Sequence, residues 1–163
     1  MITTCHPEDE LAYIRGILQL LEPMTSAEIG VYHGGTARVI REETVDDVYL
    51  FDTFGGIMSE HAEENWPNGD YSCSLKIVKQ NIGDDFEFIK GDICETKYQV
   101  KGMEFDFIHF DLDVYIPLAD SLPFLYNLLS SGGVMLISNY DDSHKGGKKA
   151  IDEFIKDKNY KRY

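Results

Sequence analysis

Residues 105–115, FDFIHFDLDVY, and residues 132–140, GGVMLISNY, decide the fold of this chain. Each stretch is a run of aromatic and branched aliphatic residues that ends abruptly in polar ones. A strand inside a parallel sheet is apolar along its length, because helices cover both of its faces. Ligands of such sheets bind beyond the carboxyl ends of the strands. We therefore expect Asp111 and Asp113 to lie at a functional site.

The same pattern continues towards both ends of the chain. Apolar strand-like runs alternate with helical periods, which indicates βαβ units, a parallel sheet and right-handed crossovers. The predicted fold class is α/β, a mostly parallel sheet with helices on both faces. The predicted strands span 26–32, 48–54, 86–90, 104–111 and 134–138, and the predicted helices span 9–21, 36–43, 73–82, 118–129 and 147–156.

The length favours a single domain, residues 1–163, which is large enough to bury one core. Residues 1–24 form an N-terminal helical segment in this interpretation. Residues 55–72 contain glycines, acids, a proline and the lone tryptophan without a clean period. Loops of this length in compact domains are usually functional or disordered. We predict a lid here, in which Trp66 and Tyr71 are either ligand contacts or packing anchors.

Composition argues against several partners. A formal net charge of −14 at pH 7 would repel phosphate backbones, so nucleic-acid binding is not expected. No apolar run approaches the roughly 20 residues that span a bilayer, and no signal-peptide core is present. The three cysteines are far apart and lack CxxC spacing. This pattern suits a reducing compartment, and the predicted location is the cytoplasm.

A glycine-rich turn joins the first strand to its helix. Residues 28–36 read EIGVYHGGT, and glycine lets the backbone approach a ligand while the helix N-terminus offers free N–H groups. Tyr32 holds the middle glycine position of the dinucleotide fingerprint, which disfavours a nicotinamide or flavin cofactor. A purely structural turn remains the alternative. Thr36 is expected to cap the helix.

Two aspartates end the second and third strands. Asp52 is spaced from the glycine turn as acids that hydrogen-bond ribose hydroxyls are. Asp92 follows the third strand, where its carboxylate could meet an adenine amino group. For each residue the alternative is a turn or cap role, which aspartate commonly fills. Together with the glycine turn, the pair predicts a nucleoside pocket.

Two further carboxylates end the fourth strand. Asp111 and Asp113 share one side of it, so they could bind a divalent cation, or one of them could have a raised pKa and act as a base. In the alternative interpretation, Asp113 caps the next helix and only Asp111 reaches the site.

The five histidines differ in their surroundings. His33 in the glycine turn and His109 in an apolar strand are expected to be structural. His61 and His144 flank the predicted pocket, and either could serve as a base because imidazole titrates near neutral pH. His6 falls in a loop and receives no role.

In order along the chain, these motifs resemble the macrocin O-methyltransferase family, S-adenosylmethionine-dependent enzymes that methylate sugar hydroxyls of natural products. The resemblance covers roughly residues 26–155, and its Asp-x-Asp-x-Tyr and Lys-Lys-Ala-x-Asp-Glu-Phe pieces are fairly specific. The matching motifs are Glu28-x-Gly30-Val31-x-x-Gly34-Gly35-Thr36, Phe51-Asp52-Thr53-Phe54-x-Gly56, Tyr71-Ser72-x-Ser74-Leu75, Gly91-Asp92, Asp111-x-Asp113-x-Tyr115, Gly132-Gly133-Val134 with Asn139-Tyr140, and Gly147-x-Lys149-Ala150-Ile151-Asp152-Glu153-Phe154.

The resemblance implies a Rossmann-like methyltransferase fold with S-adenosylmethionine as cofactor and a small hydroxylated molecule, such as a sugar, as acceptor. It places Asp52 on the ribose, Asp92 at the adenine and the glycine turn under the methionine portion. Asp111 becomes the candidate catalytic residue. The implied cofactor-binding set is Glu28, Gly30, Tyr32, Gly34, Gly35, Thr36, Asp52, Thr53, Phe54, Asp92, Ile93 and Asp111.

One departure concerns a metal. The family holds Mg²⁺ with the aspartate after the fourth strand and an Asp-Asp-Tyr sequence after the fifth, where residues 138–140 of this chain read SNY. Serine and asparagine are neutral, so two charges are missing. Asp141 and Asp142 follow and could supply charge from a shifted loop, which makes Asp111, Asn139 and Asp142 the candidate ligands. The alternative is that the metal site is lost.

A second departure concerns length. Such methyltransferases continue into a C-terminal antiparallel strand pair, which is truncated here, since residues 158–163 could begin one strand at most. An exposed edge strand is normally covered, so a homodimer is one expectation. The leading function is O-methylation, and the alternatives are a catalytically degenerate nucleoside-binding protein and, less well matched, a nucleotide-dependent oxidoreductase.

Overall fold

Helices and strands alternate along the chain in the computed structural model, which describes residues 6–158. The strands are β1 (Ser26–Ile29), β2 (Val48–Asp52), β3 (Glu87–Lys90), β4 (Phe105–Phe110) and β5 (Leu129–Ile137). The helices are α1 (Glu8–Leu21), α2 (Gly35–Glu43), α3 (Leu75–Ile82), α4 (Ile93–Thr96), α5 (Tyr115–Tyr126) and α6 (Lys145–Lys158), with a 3₁₀ turn at Lys97–Val100 after α4.

The five strands form one parallel sheet in the order β3-β2-β1-β4-β5. The predicted α/β class and parallel sheet are confirmed. Strand β1 lies in the middle, where Glu28 is in register with Leu50 of β2 on one side and His109 of β4 on the other. The strand order reverses at β1, and open α/β sheets bind ligands at such a switch point.

Helices cover both faces of the sheet. On one face the core includes Ile14 and Leu18 of α1 and Ile40 of α2. On the other it includes Leu118 of α5 and Ile151 of α6. Burying each such side chain contributes about 1.5–3 kcal/mol, so the two apolar layers fix the sheet and with it the edge where the strands end.

Several predicted boundaries differ from the structure. Helix α5 begins at Tyr115 rather than at residue 118, because proline is tolerated in a first turn and Pro117 lies there. The expectation that Thr36 caps α2 is wrong, since Gly34 takes the cap position with a φ of 87°. The short helix α4 was not predicted; at four residues it is too brief to show a period.

Strand β5 pairs only with β4 among the described residues. The strand predicted to begin within 158–163 lies almost wholly outside the described residues. None of the described helices has both the length and the apolar composition needed to cross a bilayer.

Candidate active site

A cavity of about 290 Å³ opens at the carboxyl edge of the sheet. The segments that follow all five strands contribute to its wall, each with at least one polar or glycine residue. They supply Gly30 after β1, Asp52 at the end of β2, Asp92 after β3, Asp111 and Asp113 after β4, and Asn139 after β5. The fold therefore gathers at one place the aspartates that the sequence scatters over sixty residues.

The glycine turn packs tightly against the end of β4. Gly30 has a φ of 89°, and a Cβ atom at this position would overlap the carbonyl oxygen of Asp111. A larger residue could not be accommodated without moving one strand end away from the other. This close approach brings the turn, which leads into α2, against the floor of the cavity.

Asp52 is held by backbone N–H groups. Its Oδ2 accepts hydrogen bonds from the N–H groups of Val31 (2.7 Å) and Tyr32 (3.1 Å), and its Oδ1 accepts one from Phe54 (2.7 Å). A carboxylate has about four acceptor positions, so these three bonds orient the group and leave capacity for a ligand hydroxyl. The predicted turn role and the predicted ligand role are compatible.

Asp92 caps α4 and also contacts the loop above the cavity. Its Oδ1 accepts a hydrogen bond from the Cys94 N–H (2.9 Å), and its Oδ2 lies 2.7 Å from Nε2 of His61. Burial alone would raise the pKa of Asp92, but the hydrogen bonds from His61 and Cys94 outweigh it and lower the pKa below its usual range.

Residues 55–72, the predicted lid, run over the cavity and contact three separate elements. Besides the His61–Asp92 contact, Glu63 Oε1 accepts a hydrogen bond from the N–H of Tyr115 at the start of α5 (2.7 Å). The ring of Trp66 stacks on His144, with centroids 4.9 Å apart and an interplanar angle of 16°. The loop is therefore latched by its side chains; that it opens as a lid stays a prediction.

Asp111 is engaged on both oxygens. Its Oδ2 lies 2.8 Å from Nε2 of His6, and its Oδ1 accepts a hydrogen bond from Nδ2 of Asn139 (3.0 Å). Burial would raise the pKa of Asp111, but the His6 hydrogen bond, the charges of the nearby histidines and the Asn139 amide lower it overall. In turn, the hydrogen bond to Asp111 raises the pKa of His6 to about 9.

Asp113 lines the cavity beside Asp111. Its Oδ1 accepts a hydrogen bond from Nδ2 of Asn139 (2.9 Å) and lies 3.3 Å from Nε2 of His144. Burial, followed by the charge of Asp111, raises the pKa of Asp113 to about 6. The alternative in which Asp113 caps α5 is wrong, because Val114 takes the cap position and the N–H of Tyr115 goes to Glu63.

Behind the cavity lies a buried polar chain across the sheet. Glu28, which is 1% exposed, places Oε1 3.2 Å from Nδ1 of His109, and Nε2 of His109 lies 2.9 Å from Oγ of Ser138. Burial raises the pKa of Glu28 to about 7. The expected structural role of His109 agrees with these contacts.

The predicted site residues separate into two groups. Gly30, Tyr32, Gly35, Thr36, Asp52, Thr53, Asp92, Ile93, Asp111 and Asn139 line the cavity. Glu28, Gly34, Phe54 and Asp142 do not: Glu28 points to His109, Gly34 faces Ile82, Phe54 packs into the core, and Asp142 is bound to Lys148.

His6 is one cavity residue that sequence reasoning missed; His33, which was expected to be structural, is another. His6 lines the cavity just before α1, 105 residues away from its partner Asp111. The single local signal is the spacing to Glu10, whose Oε2 lies 2.9 Å from Nδ1 of His6 one helical turn later. Such spacing is common on helices, so the sequence alone could not connect it to the cavity.

Comparison with solved structures identifies the architecture. The O-methyltransferase NovP superposes with a TM-score of 0.80 at 22% identity, covering 94% of this chain and 74% of that one. The calicheamicin methyltransferase CalS11 gives a TM-score of 0.71 at 20% identity, over 93% of this chain and 72% of that one. An O-methyltransferase from Bacillus cereus, solved with SAH, gives 0.68 at 16% identity, over 94% and 71%. At such identities the likeness establishes the methyltransferase fold.

The sequence itself matches no curated protein significantly. It does match the macrocin-O-methyltransferase (TylF) family over residues 22–162, which is most of the chain. That match extends through every strand and every cavity segment from the glycine turn onwards. The chain therefore belongs to the macrocin O-methyltransferase family, as its motifs predicted.

Proposed function

We propose that this chain transfers the methyl group of S-adenosylmethionine to a hydroxyl group of a small molecule, such as a sugar of a natural product. The observation that carries the proposal is the cavity at the strand ends, in which carboxylates from β2, β3 and β4 converge beside a glycine turn. Family membership supports the reaction class.

The cofactor half of the cavity fits a nucleoside. Asp52 has acceptor capacity for ribose hydroxyls, and Asp92 is placed one strand further along, where it could accept from an adenine amino group. S-Adenosylmethionine supplies a methyl group on a positively charged sulfur. The carboxylates of Asp111 and Asp113 give that side of the cavity the negative charge that suits such a ligand.

On the acceptor side, the chain must hold a hydroxyl in line with the methyl group and remove its proton. The hydroxyl oxygen bonds to the methyl carbon while the carbon–sulfur bond breaks and its electron pair stays on sulfur. Asp113 is our candidate for the proton acceptor, because burial and the charge of Asp111 raise its pKa to about 6, whereas the contacts of Asp111 with His6 and Asn139 lower the pKa of Asp111 in spite of its burial. Asp111, expected from the sequence to be the base or metal ligand, then positions the site. Alignment and proton transfer supply most of the rate in such reactions.

Magnesium, which the family resemblance implied, does not fit the residues present. Asn139 offers its amide nitrogen to Asp111 and Asp113, and Asp142 is 93% exposed on its side chain and paired with Lys148. Mg²⁺ is held in proteins chiefly by carboxylates, and of this candidate set only Asp111 brings a carboxylate to the cavity, beside the neutral amide of Asn139. We therefore assign no step to a metal.

Calorimetric titration of the chain with S-adenosylmethionine and S-adenosylhomocysteine tests the proposal. We expect micromolar binding of both, followed by methyl transfer from labelled cofactor in a screen of hydroxylated acceptors. Absence of binding to either nucleoside would refute the proposed function.

A catalytically degenerate nucleoside-binding protein is the second candidate. It is favoured by one observation: Ser138 and Asn139 are neutral at the two positions where the family resemblance implies acidic metal ligands. Micromolar cofactor binding without product from any acceptor in the screen would support it over the enzyme.

Partners and location are proposals of the same kind. We infer a small-molecule acceptor, no nucleic-acid partner because of the net charge of −14, and a cytoplasmic location. A polyanion-binding assay by gel shift should show no retardation of DNA or RNA.

A further inference from the structure

We propose that His6 and Asn139 take the place of a divalent cation, so that this site holds its two strand-end carboxylates without metal. The inference rests on the proposed function, since it concerns how the acceptor side of the same cavity is organised. It also makes His6 a positioning residue of the site.

The Asn139 side chain lies between the two carboxylates. Its Nδ2 lies 3.0 Å from Oδ1 of Asp111 and 2.9 Å from Oδ1 of Asp113, so a single amide nitrogen bridges the two carboxylates. The amide must face them through its NH₂ group, because carboxylates accept hydrogen bonds and the amide oxygen would be repelled. A cation that bridged the same two oxygens would have to displace this nitrogen.

The His6 ring lies between the carboxylates of Asp111 and Glu10. Its Nε2 lies 2.8 Å from Asp111 Oδ2 and its Nδ1 lies 2.9 Å from Glu10 Oε2. Both ring nitrogens thus face carboxylate oxygens, so the ring connects the end of β4 to α1. The His6 side chain is 6% exposed, which fixes this connection inside the protein.

The neighbouring polar side chains of Ser138 and Asp141 contact residues other than Asp111. The Ser138 hydroxyl oxygen lies 2.9 Å from Nε2 of His109 and 3.5 Å from Oε1 of Glu10. Asp141 accepts from Ser143 and lies 2.9 Å from His144. Ser138 and Asp141 therefore form their contacts with other residues. The residue after β5 that contacts Asp111 is the neutral Asn139.

Titration of the whole chain with Mn²⁺ tests the proposal. The electron paramagnetic resonance signal of free Mn²⁺ measures how much of the ion is bound. An acidic surface binds some Mn²⁺ anyway, so the quantity of interest is the binding that Asp111→Asn removes. We expect wild type and Asp111→Asn to bind Mn²⁺ equally. A site present in wild type and lost in Asp111→Asn would overturn the proposal.

The double variant His6→Ala/Asn139→Asp provides the converse test. Removing the His6 ring and supplying a third carboxylate at position 139 should create one Mn²⁺ site. Adding Asp111→Asn to the double variant should abolish that site. Circular dichroism and titration with S-adenosylhomocysteine control for folding and for the cofactor half of the cavity. A folded double variant that gains no Mn²⁺ site would contradict the assignment of this position to a cation substitute.

The two proposals fail in different ways. If wild type binds no S-adenosylhomocysteine, the methyltransferase proposal fails whatever the manganese result. If it binds S-adenosylhomocysteine and also binds Mn²⁺ through Asp111, the methyltransferase proposal stands and the substitution of the cation by His6 and Asn139 fails.

Discussion

Asp52 illustrates how one residue serves both the fold and the proposed ligand. Three backbone N–H groups, from Val31, Tyr32 and Phe54, converge on its carboxylate. Hydrogen bonds to charged groups contribute about 1.5–3 kcal/mol each, so the side chain ties the glycine turn to the end of β2. The residue that would hold the ribose is also the residue that shapes the turn beneath it.

Substituting Asp52 should therefore affect binding and stability together. We expect Asp52→Asn to weaken S-adenosylhomocysteine binding by at least about tenfold, or 1.4 kcal/mol, and to lower the melting temperature. Calorimetry and thermal unfolding measure the two effects. Asp111→Asn and Asp113→Asn are the matched controls, since they should keep the affinity for S-adenosylhomocysteine, whose sulfur is uncharged, and lose turnover; an equal loss of affinity in all three variants would contradict the division of roles.

Glu28 should make stability depend on pH. Its folded-state pKa, about 7, lies above the model-peptide value of 4.5 because the side chain is buried. A raised carboxyl pKa means that stability is fully present below about pH 4.5 and is lost as pH rises through about 7, by up to about 3 kcal/mol.

Glutamine cannot ionise, so the Glu28→Gln variant should not lose stability in this way as pH rises. In urea unfolding at pH 5 and pH 8, the free energy of unfolding of the variant should rise relative to wild type by about 1–3 kcal/mol at the higher pH. The same difference between the two proteins at both pH values would show that Glu28 does not titrate in this range.

Among the elements, the loop of residues 55–72 runs over the cavity and is attached to its surroundings by side chains. Its Glu63 carboxylate satisfies the free N–H of Tyr115 at the start of α5, and such caps contribute about 0.5–2 kcal/mol. Trp66 and His61 provide two further attachments, to His144 and Asp92. The loop is thus held at three points by side chains rather than by a strand pairing with the sheet.

Breaking one attachment should loosen the loop. We expect Glu63→Ala to speed hydrogen exchange of residues 57–70 and of the first turn of α5, and to speed dissociation of S-adenosylhomocysteine. Hydrogen-exchange mass spectrometry and stopped-flow kinetics measure these changes. Glu64→Ala, the exposed neighbour, is the control; similar effects of both variants would mean that Glu63 is not a latch.

Elements show clearly what sequence could and could not predict. Apolar runs such as residues 105–110 are recognisable in the sequence as buried strands, so all five strands and the parallel sheet could be predicted. Boundaries depended on local chemistry: Glu63 caps α5 from a distant loop, and the start of that helix could not be read from residues 115–118 alone. The site was predicted where carboxylates end strands, and His6 was missed because only the packing of α1 brings it there.

For the whole molecule, the exposed edge of the sheet sets an expectation about assembly. Strand β5 pairs with β4 on one side alone among the described residues, and unpaired edges favour association with another strand. We propose a homodimer formed through this edge. Light scattering after size exclusion should give twice the chain mass of 18.6 kDa; a single-chain mass throughout a concentration series would refute it.

The central position of β1 has a consequence for synthesis on the ribosome. Ser26 must pair with Phe107, and His144 lines the cavity, so an emerging chain keeps an incomplete sheet and an incomplete cavity until residues 105–144 have been made. Pairings between such distant residues slow folding. A translation product that stops before β4 would carry the glycine turn and Asp52. It would lack Asp111, Asp113 and Asn139 on the acceptor side of the cavity, so it could not methylate an acceptor.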